Sequence, residues 1–251
     1  MILFIILLLI CIALLGFMWY KAFDDHIDYR TVHVKSKLMK PVTLFFISDI
    51  HKRKIKKKTM RQIKERIDLV VIGGDLLEKG VDFRKVKKNL LLLHSCHAPI
   101  YFVWGNNDYE VNSLELEQLL QNHGVHVLRD KTVTINHGTT TINLIGLDYR
   151  KEHQANLDPL LMQATGDIQF LIAHDPNAFY SFTNQQAKQI DFVMSGHTHG
   201  GQIRVFGHGF YARGGLETYL NTPILVSEGY GYTKVPLRLG TNAQCHIITV
   251  N

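Results

Sequence analysis

The chain has 251 residues, 46% of them hydrophobic and 20% charged, which suits one large folded domain and excludes a disordered or low-complexity chain. Its net charge of +6 is local, because Lys52 to Arg66 holds nine cations and one anion and the rest sums to about −2. Cys11, Cys96 and Cys245 are widely separated, so no redox or zinc spacing forms and nothing asks for an oxidising compartment.

Met1 to Tyr20 carries no charged side chain; about 20 helical residues at ~1.5 Å each match the ~30 Å apolar core of a bilayer. A cleaved signal peptide is the rival reading. No Lys or Arg precedes the apolar run and no small-x-small cleavage pattern follows it between Gly16 and Ala22, so residues 1–20 are expected to be a retained transmembrane anchor. Trp19 and Tyr20 suit its interfacial end, and Lys21, Arg30, Lys35, Lys37 and Lys40 follow it with none ahead. That asymmetry predicts a single-pass protein of the cell membrane with a cytoplasmic domain, and Asp24, Asp25 and Asp28 count little in the rule. Residues 21–40 read as a polar stalk or an edge element, and the folded domain is expected over 41–251.

Within it, short apolar runs predict strands at Val42–Ile47, Leu69–Ile72, Ile100–Val103, Thr141–Ile145, Phe170–Ala173, Phe192–Met194, Ile224–Val226 and His246–Val250. Helix patterns fall at Lys56–Arg66, Asp82–Leu93 and Ser113–Asn122, the last opening at Ser113 and closing at Gly124. The first half is therefore β-α-β-α-β-α, and strands dominate after Gly124, with a turn at Asn136-His137-Gly138.

Five of these runs end on potential ligands: Asp49-Ile50-His51, Gly73-Gly74-Asp75, Gly105-Asn106-Asn107-Asp108, His174-Asp175 and Gly196-His197-Thr198-His199. Ligands of α/β sheets gather beyond the carboxyl ends of the strands, so segments far apart in sequence can converge there. If strand geometry continued past the runs, Asp49 and His51, like His197 and His199, would project to one side and grip one ion. Taken singly each piece is weak, since Gly-Gly-Asp commonly makes a turn, Asn-Asn-Asp caps helices, and His174 could be a satisfied core histidine. The order of all five, and two histidines bracketed by glycines, point to metal chemistry.

The ordered set resembles the calcineurin-like metallophosphoesterase superfamily over residues 42–250. The resemblance implies a four-layer α/β/β/α sandwich holding two divalent ions, and imidazole, carboxylate and amide donors without thiolate suit manganese, iron or zinc better than calcium. It implies Asp49, His51 and His199 at one ion, Asn106, His174 and His197 at the other, Asp75 bridging both and Asp108 orienting the ligands. Hydrolysis of a phosphodiester or pyrophosphate would then follow by in-line attack of a hydroxide shared between the ions. The anchored N-terminus and the run His197 to Gln202 are similar to a bacterial membrane-linked branch that includes UDP-diacylglucosamine pyrophosphohydrolase-like proteins, which suggests a lipid-linked substrate.

One position departs from the pattern. Most members carry histidine after the motif asparagine, where it assists the leaving group; Asn107 can hydrogen-bond a phosphate oxygen but cannot transfer a proton. This disfavours alkyl esters and leaves a catalytically weakened metal-binding scaffold as one alternative. His94, His97, His123 and His126 fall at helix ends, where capping explains them, and His137 and His208 lie in turns. The patch Lys52–Arg66 is either a solvated helix face, a contact for anionic lipid headgroups, or a guide for a polyanionic substrate. A nucleic-acid phosphodiesterase is the other alternative, although no stacking aromatics interleave these cations.

Overall fold

The computed structural model describes residues 1–36, 38–149 and 157–251; Lys37, counted among the cations after the span, lies outside them. Two six-stranded sheets form the centre. The first contains β1 (Asp25–Val32), β2 (Val42–Ile47), β3 (Leu69–Ile72), β4 (Ile100–Phe102), β5 (Val125–Val127) and β12 (Ala243–Val250), in the order β1-β12-β2-β3-β4-β5. The second contains β6 (Lys131–His137), β7 (Thr140–Gly146), β8 (Ile168–Ile172), β9 (Phe192–Ser195), β10 (Gly215–Tyr219) and β11 (Thr222–Val226), in the order β10-β11-β9-β8-β7-β6. In the first sheet β2 to β5 run parallel and β12 lies antiparallel to β2. In the second, β7, β8, β9 and β11 run parallel between antiparallel edge strands.

The alternation of side chains along β2 shows why the layers stack. Leu44 and Phe46 point between the sheets, where they meet Ile142, Phe170, Phe192 and Met194. Phe45 and Ile47 point the other way, toward the helices α3 (Phe83–Leu93) and α4 (Ser113–Asn122). On the outer face of the second sheet, Leu171 and Val193 pack with residues of α5 (Asp158–Gln163), α6 (Asn177–Tyr180) and α7 (Asn184–Ala187). Strands buried on both faces need such continuous apolar runs. The result is the four-layer α/β/β/α sandwich.

The expected elements are present, with three differences. The helix expected over 56–66 forms only as α2 (Lys57–Gln62). Its first turn carries no acidic residue and no side-chain cap, while Lys56, Lys57 and Lys58 crowd the positive end of the helix dipole. The cap of α4 is Asn112, whose side chain accepts from the Glu115 amide, rather than Ser113. Within 21–40 it is the edge element that forms. β1 pairs in parallel with β12 from Asp25↔Ala243 to Val32↔Val250, covering an otherwise open edge.

Ahead of it, helix α1 (Ile2–Phe23) is long and apolar enough to cross a membrane. Most of it is exposed, but Met18 and Ala22 are buried against the domain, and the Arg238 amide donates to the Met18 carbonyl at 3.0 Å.

Candidate metal centre

The strand ends of both sheets meet at one edge of the sandwich. Strand β2 ends at Ile47, so Asp49 and His51 do not converge by continued pleating, as the spacing of two suggested. Both adopt left-handed backbone, φ 54° and 49°, as do Asp75 (51°), His197 (70°) and His199 (50°). Such conformations cost roughly 1–3 kcal/mol each and persist only where surrounding bonds enforce them. Here Asp49 N donates to Gly74 O at 2.9 Å, His51 N to Asp75 O at 3.1 Å and Tyr230 N to Ser48 O at 2.9 Å. Close approach also demands glycine: a Cβ on Gly105 would sit 2.3 Å from Asp75 Oδ1, and one on Gly196 would sit 2.4 Å from Asp49 Oδ2.

The inner part of the cluster is fully enclosed. His51 Nε2 lies 3.0 Å from His199 Nε2, and His199 Nε2 lies 3.5 Å from Asp49 Oδ1. The Asp49 carboxylate is aimed by the His197 amide, which donates to both its oxygens at 3.0 and 3.2 Å. On its far side His51 Nδ1 is 3.0 Å from Glu78 Oε2, and Glu78 Oε1 is 2.6 Å from Lys52 Nζ.

The outer part is half-open. His174 Nε2 lies 3.2 Å from Asn106 Oδ1 and 3.2 Å from His197 Nδ1, and His197 Nδ1 lies 3.0 Å from Asn106 Oδ1. His174 Nδ1 donates to the Gly73 carbonyl at 2.9 Å, which points Nε2 into the cluster. Asn106 Nδ2 donates to Asn107 Oδ1 at 2.9 Å, so Asn107 fixes which end of the Asn106 amide faces the histidines. Tyr149 and Tyr211 stand at the rim, their rings 6.0 and 6.2 Å from that of His197.

Asp75 spans the two parts, with Oδ2 3.6 Å from His51 Nε2 and 3.3 Å from His174 Nε2. Its other oxygen accepts from the Asn107 amide at 2.8 Å. Asp108 is buried behind it and accepts from the amides of Asp75 and Gly105 at 2.8 Å each and of Leu77 at 3.2 Å. It thereby ties the loops after β3 and β4 together.

The donor set fits divalent ions. Bonds of ~2.1 Å place neighbouring donors of a tetrahedral or octahedral shell ~3.0–3.4 Å apart, close to the spacings above. Asp49, His51 and His199 form one group able to hold a metal, and Asp49, Asp75 and His174 form a second. Burial, together with His51 and Arg238, holds His199 well below the ordinary histidine value, and burial with His174 also lowers His197. Burial opposes charge on His174 too, but Asp75 overrides it and holds that ring up at about 10. Burial and the Asp75 charge push Asp108 up to about 7. Oxygen and imidazole donors without thiolate suit first-row divalent ions.

Every expected ligand thus lies in one cluster, whereas His94, His123 and His126 do not join it. His94 Nε2 contacts the His123 carbonyl at 2.8 Å, His123 Nδ1 contacts the Leu119 carbonyl at 2.8 Å, and His126 stacks on Tyr101. Sequence reading missed Glu78, the segment Ser227–Gly231 and Arg238. The Arg238 guanidinium is wholly buried and donates to the carbonyls of Glu228 at 2.6 Å, Gly229 at 3.0 Å and Gly231 at 2.8 Å, with His199 Nδ1 at 3.3 Å. The signal for this segment is the apolar run Ile224–Val226, followed by Ser-Glu-Gly-Tyr-Gly.

The calcineurin-like phosphoesterase family model matches residues 42–201. Protein YpbG of Bacillus subtilis is 37% identical over 241 residues, 95% of this chain and 92% of that protein. A metallophosphoesterase of Helicobacter pylori is 30% identical over 255 residues, 90% of this chain and 65% of that protein. A transmembrane protein with metallophosphoesterase domain from Danio rerio is 28% identical over 225 residues, 80% of this chain and 51% of that protein. With its fold, its clustered donors and these likenesses in agreement, the chain belongs to the calcineurin-like phosphoesterase family.

Proposed function

We propose that this chain, a metal-dependent phosphoester hydrolase, binds two divalent ions and hydrolyses a phosphodiester or pyrophosphate bond of a lipid-linked substrate at a membrane. Asp49, His51 and His199 would hold one ion, Asn106, His174 and His197 the other, and Asp75 both. The observation that carries this reading is the position of Asp75 Oδ2, 3.6 Å from one histidine group and 3.3 Å from the other. When bound, such a pair supplies an activated water and stabilises the entering and leaving oxygens of an in-line displacement.

The chain's own residues set the rest. Asp108 and the Asn107 amide hold Asp75 in place, and Asn107 aims the Asn106 oxygen inward. Asn107 offers no transferable proton, so a leaving group must depart largely unaided, which favours phosphates and phenolates over alkoxides. Tyr149 and Tyr211 line the open side, where the non-reacting part of a substrate would lie. The test is hydrolysis of bis-aryl, aryl and alkyl phosphates with metal analysis of the full chain. Bis-aryl esters turned over fastest with two ions per chain are expected, while an inactive, metal-free chain would refute the proposal.

In the same reading α1 is an uncleaved anchor with the domain on the cytoplasmic side. The support is an apolar 22-residue helix with Lys21 in its last turn and Arg30, Lys35 and Lys40 after it. An introduced surface cysteine should escape an impermeant reagent on intact cells; labelling there would reverse the orientation. Of the basic patch, Lys52 pairs with Glu78, and Arg53 and Lys56 pair with Asp25. Lys54, Lys57, Lys58, Arg61, Lys64 and Arg66 are exposed and are proposed to meet anionic headgroups, each worth about 1 kcal/mol near the surface. Changing Lys54, Lys57 and Lys58 to Gln should reduce the salt-dependence of activity on anionic vesicles; no change would return the patch to a solvated face.

A further inference from the structure

Beside the metal centre, residues Ile203 to Arg213 form an exposed projection whose most prominent side chains are Phe206 and Phe210, each 97% exposed. It is a built element. Val205 and His208 exchange backbone hydrogen bonds at 2.9 Å, and the two residues between them, Phe206 and Gly207, have φ 51° and 82°, as a tight hairpin turn requires. The Arg204 guanidinium braces the rest, donating to the carbonyls of Gly200 at 3.0 Å, Tyr211 at 2.6 Å and Gly207 at 2.6 Å. Such turns ordinarily take Asn, Asp or Gly at their first central position. A phenylalanine held there in left-handed backbone and turned wholly to water gains no burial from the domain itself.

What lies next to the projection identifies its partner. The Arg204 amide donates to the Leu239 carbonyl at 2.8 Å, and the Leu239 amide to the Gln202 carbonyl at 3.1 Å, so the base of the projection is strapped to segment 235–239. The neighbouring Arg238 amide holds the Met18 carbonyl, at the end of the apolar helix α1. The path from Met18 to Phe206 is one contact, one residue, one strand-like pairing and two residues. At ~3.8 Å per residue and ~4.8 Å per pairing, the two lie within about 25 Å. Trp19 and Tyr20, with the interfacial side-chain chemistry, are exposed at that same end of α1. Residues 203–215 contain no acidic residue, and although Arg213 pairs with Glu228 at 3.2 Å it stays 61% exposed, so the projection offers anionic headgroups no like charge of its own. At its other side the projection touches the site, since Arg204 bonds Gly200, next to His199, and the Tyr211 ring is 6.2 Å from His197.

We propose that Phe206 and Phe210 insert into the interfacial layer of the bilayer that α1 spans, bringing the open side of the metal centre against the membrane surface. The proposal rests on the reading of α1 as a span, and deepens the lipid-linked substrate reading by giving the surface through which such a substrate enters. Apolar and aromatic tips flanked by cations are the chemistry of surface-seated membrane elements.

The test is tryptophan fluorescence of the full chain in phosphatidylcholine–phosphatidylglycerol vesicles with brominated acyl chains. Wild-type Trp19 reports on α1, while Trp104 is buried in the core and gives a constant background. Phe206→Trp and Phe210→Trp, each in a Trp19→Phe chain, report on the projection, and Met162→Trp, 83% exposed on α5, is the control. Both projection variants should show blue-shifted emission on reconstitution and several-fold quenching by brominated lipid, with the control unshifted. Unquenched emission at the water-exposed wavelength from both, with Trp19 quenched, would overturn the proposal while leaving the span intact. Unquenched Trp19 would overturn the span reading and the proposal with it. A blue shift that rises with protein concentration in detergent and ignores brominated lipid would assign the projection to self-association and also overturn it. None of these readouts depends on hydrolysis, so they stand apart from the catalytic reading.

Discussion

The inner and outer parts of the metal centre are built on opposite principles. Asp49, His51 and His199 are 0%, 1% and 5% exposed and are held by buried partners on every side. Glu78 backs His51, the His197 amide clamps Asp49, and Arg238 fixes the carbonyls of the segment that packs beside His199. Asn106 and His197 are only half-buried, and the His197 ring faces two tyrosines. Their geometry rests on a few side-chain bonds, chiefly the Asn106–Asn107 contact. Packing therefore sets the inner part before any ion arrives, and the outer part keeps the openness that a substrate oxygen needs.

The largest expected break comes at the residue common to both parts. Asp75→Asn should lower turnover by several orders of magnitude and reduce bound metal, because an amide supplies one weak oxygen where a carboxylate supplies two charged ones. Normal turnover with two ions would remove Asp75 from the site. Next, Arg238→Met would strand three buried carbonyls and remove a cation beside His199. A buried carbonyl left unsatisfied costs about 1–3 kcal/mol, so thermal unfolding should fall steeply and the inner part should lose metal affinity more than the outer. An unchanged unfolding temperature would show that the segment holds itself.

A smaller and directional effect is expected at the rim. Asn107→His restores a proton donor, and general acid catalysis is worth about 10²–10⁴-fold. Turnover of alkyl phosphates should rise more than that of nitrophenyl esters, and an equal change on both would deny Asn107 a leaving-group role. The smallest effect is expected outside both parts, on the sheet edge. Burial would raise Asp28, but hydrogen bonds from His246 and Arg30 hold it at about 2. A depressed carboxyl contributes stability above its unfolded value near 4 and loses it as pH falls toward 2. Asp28→Asn should cost about 1 kcal/mol at neutral pH after solvent screening and flatten the stability curve between about pH 4 and 2; an unchanged acid limb would contradict this.

The unequal visibility of the two parts in the sequence has a physical reason. Strand runs such as Leu69–Ile72 are legible because burial on both faces forces apolar continuity, and the ligands are legible because they stand directly after those runs. The left-handed backbone at Asp49, His51, Asp75, His197 and His199 is not, since no residue type among them demands it; it follows from bonds between distant loops. Nothing in the residues around Arg238 marks it for burial, and only the folded chain wraps carbonyls of the segment after β11 around it. Likewise Asp25 read as part of a charged stalk, whereas its carboxylate is bonded by Arg53, Thr59 and Tyr230. That network ties the strand after α1 to the loop that follows His51.

Manganese titration of the full chain, followed by electron paramagnetic resonance, tests the joined two-part centre most directly. Ions held about 3.5–4 Å apart by a shared carboxylate are exchange-coupled. The first equivalent should therefore give an isolated-ion signal, and the second should replace it with a coupled spectrum that Asp75→Asn abolishes. Two equivalents giving twice the isolated signal, or saturation at one, would contradict a centre bridged by Asp75.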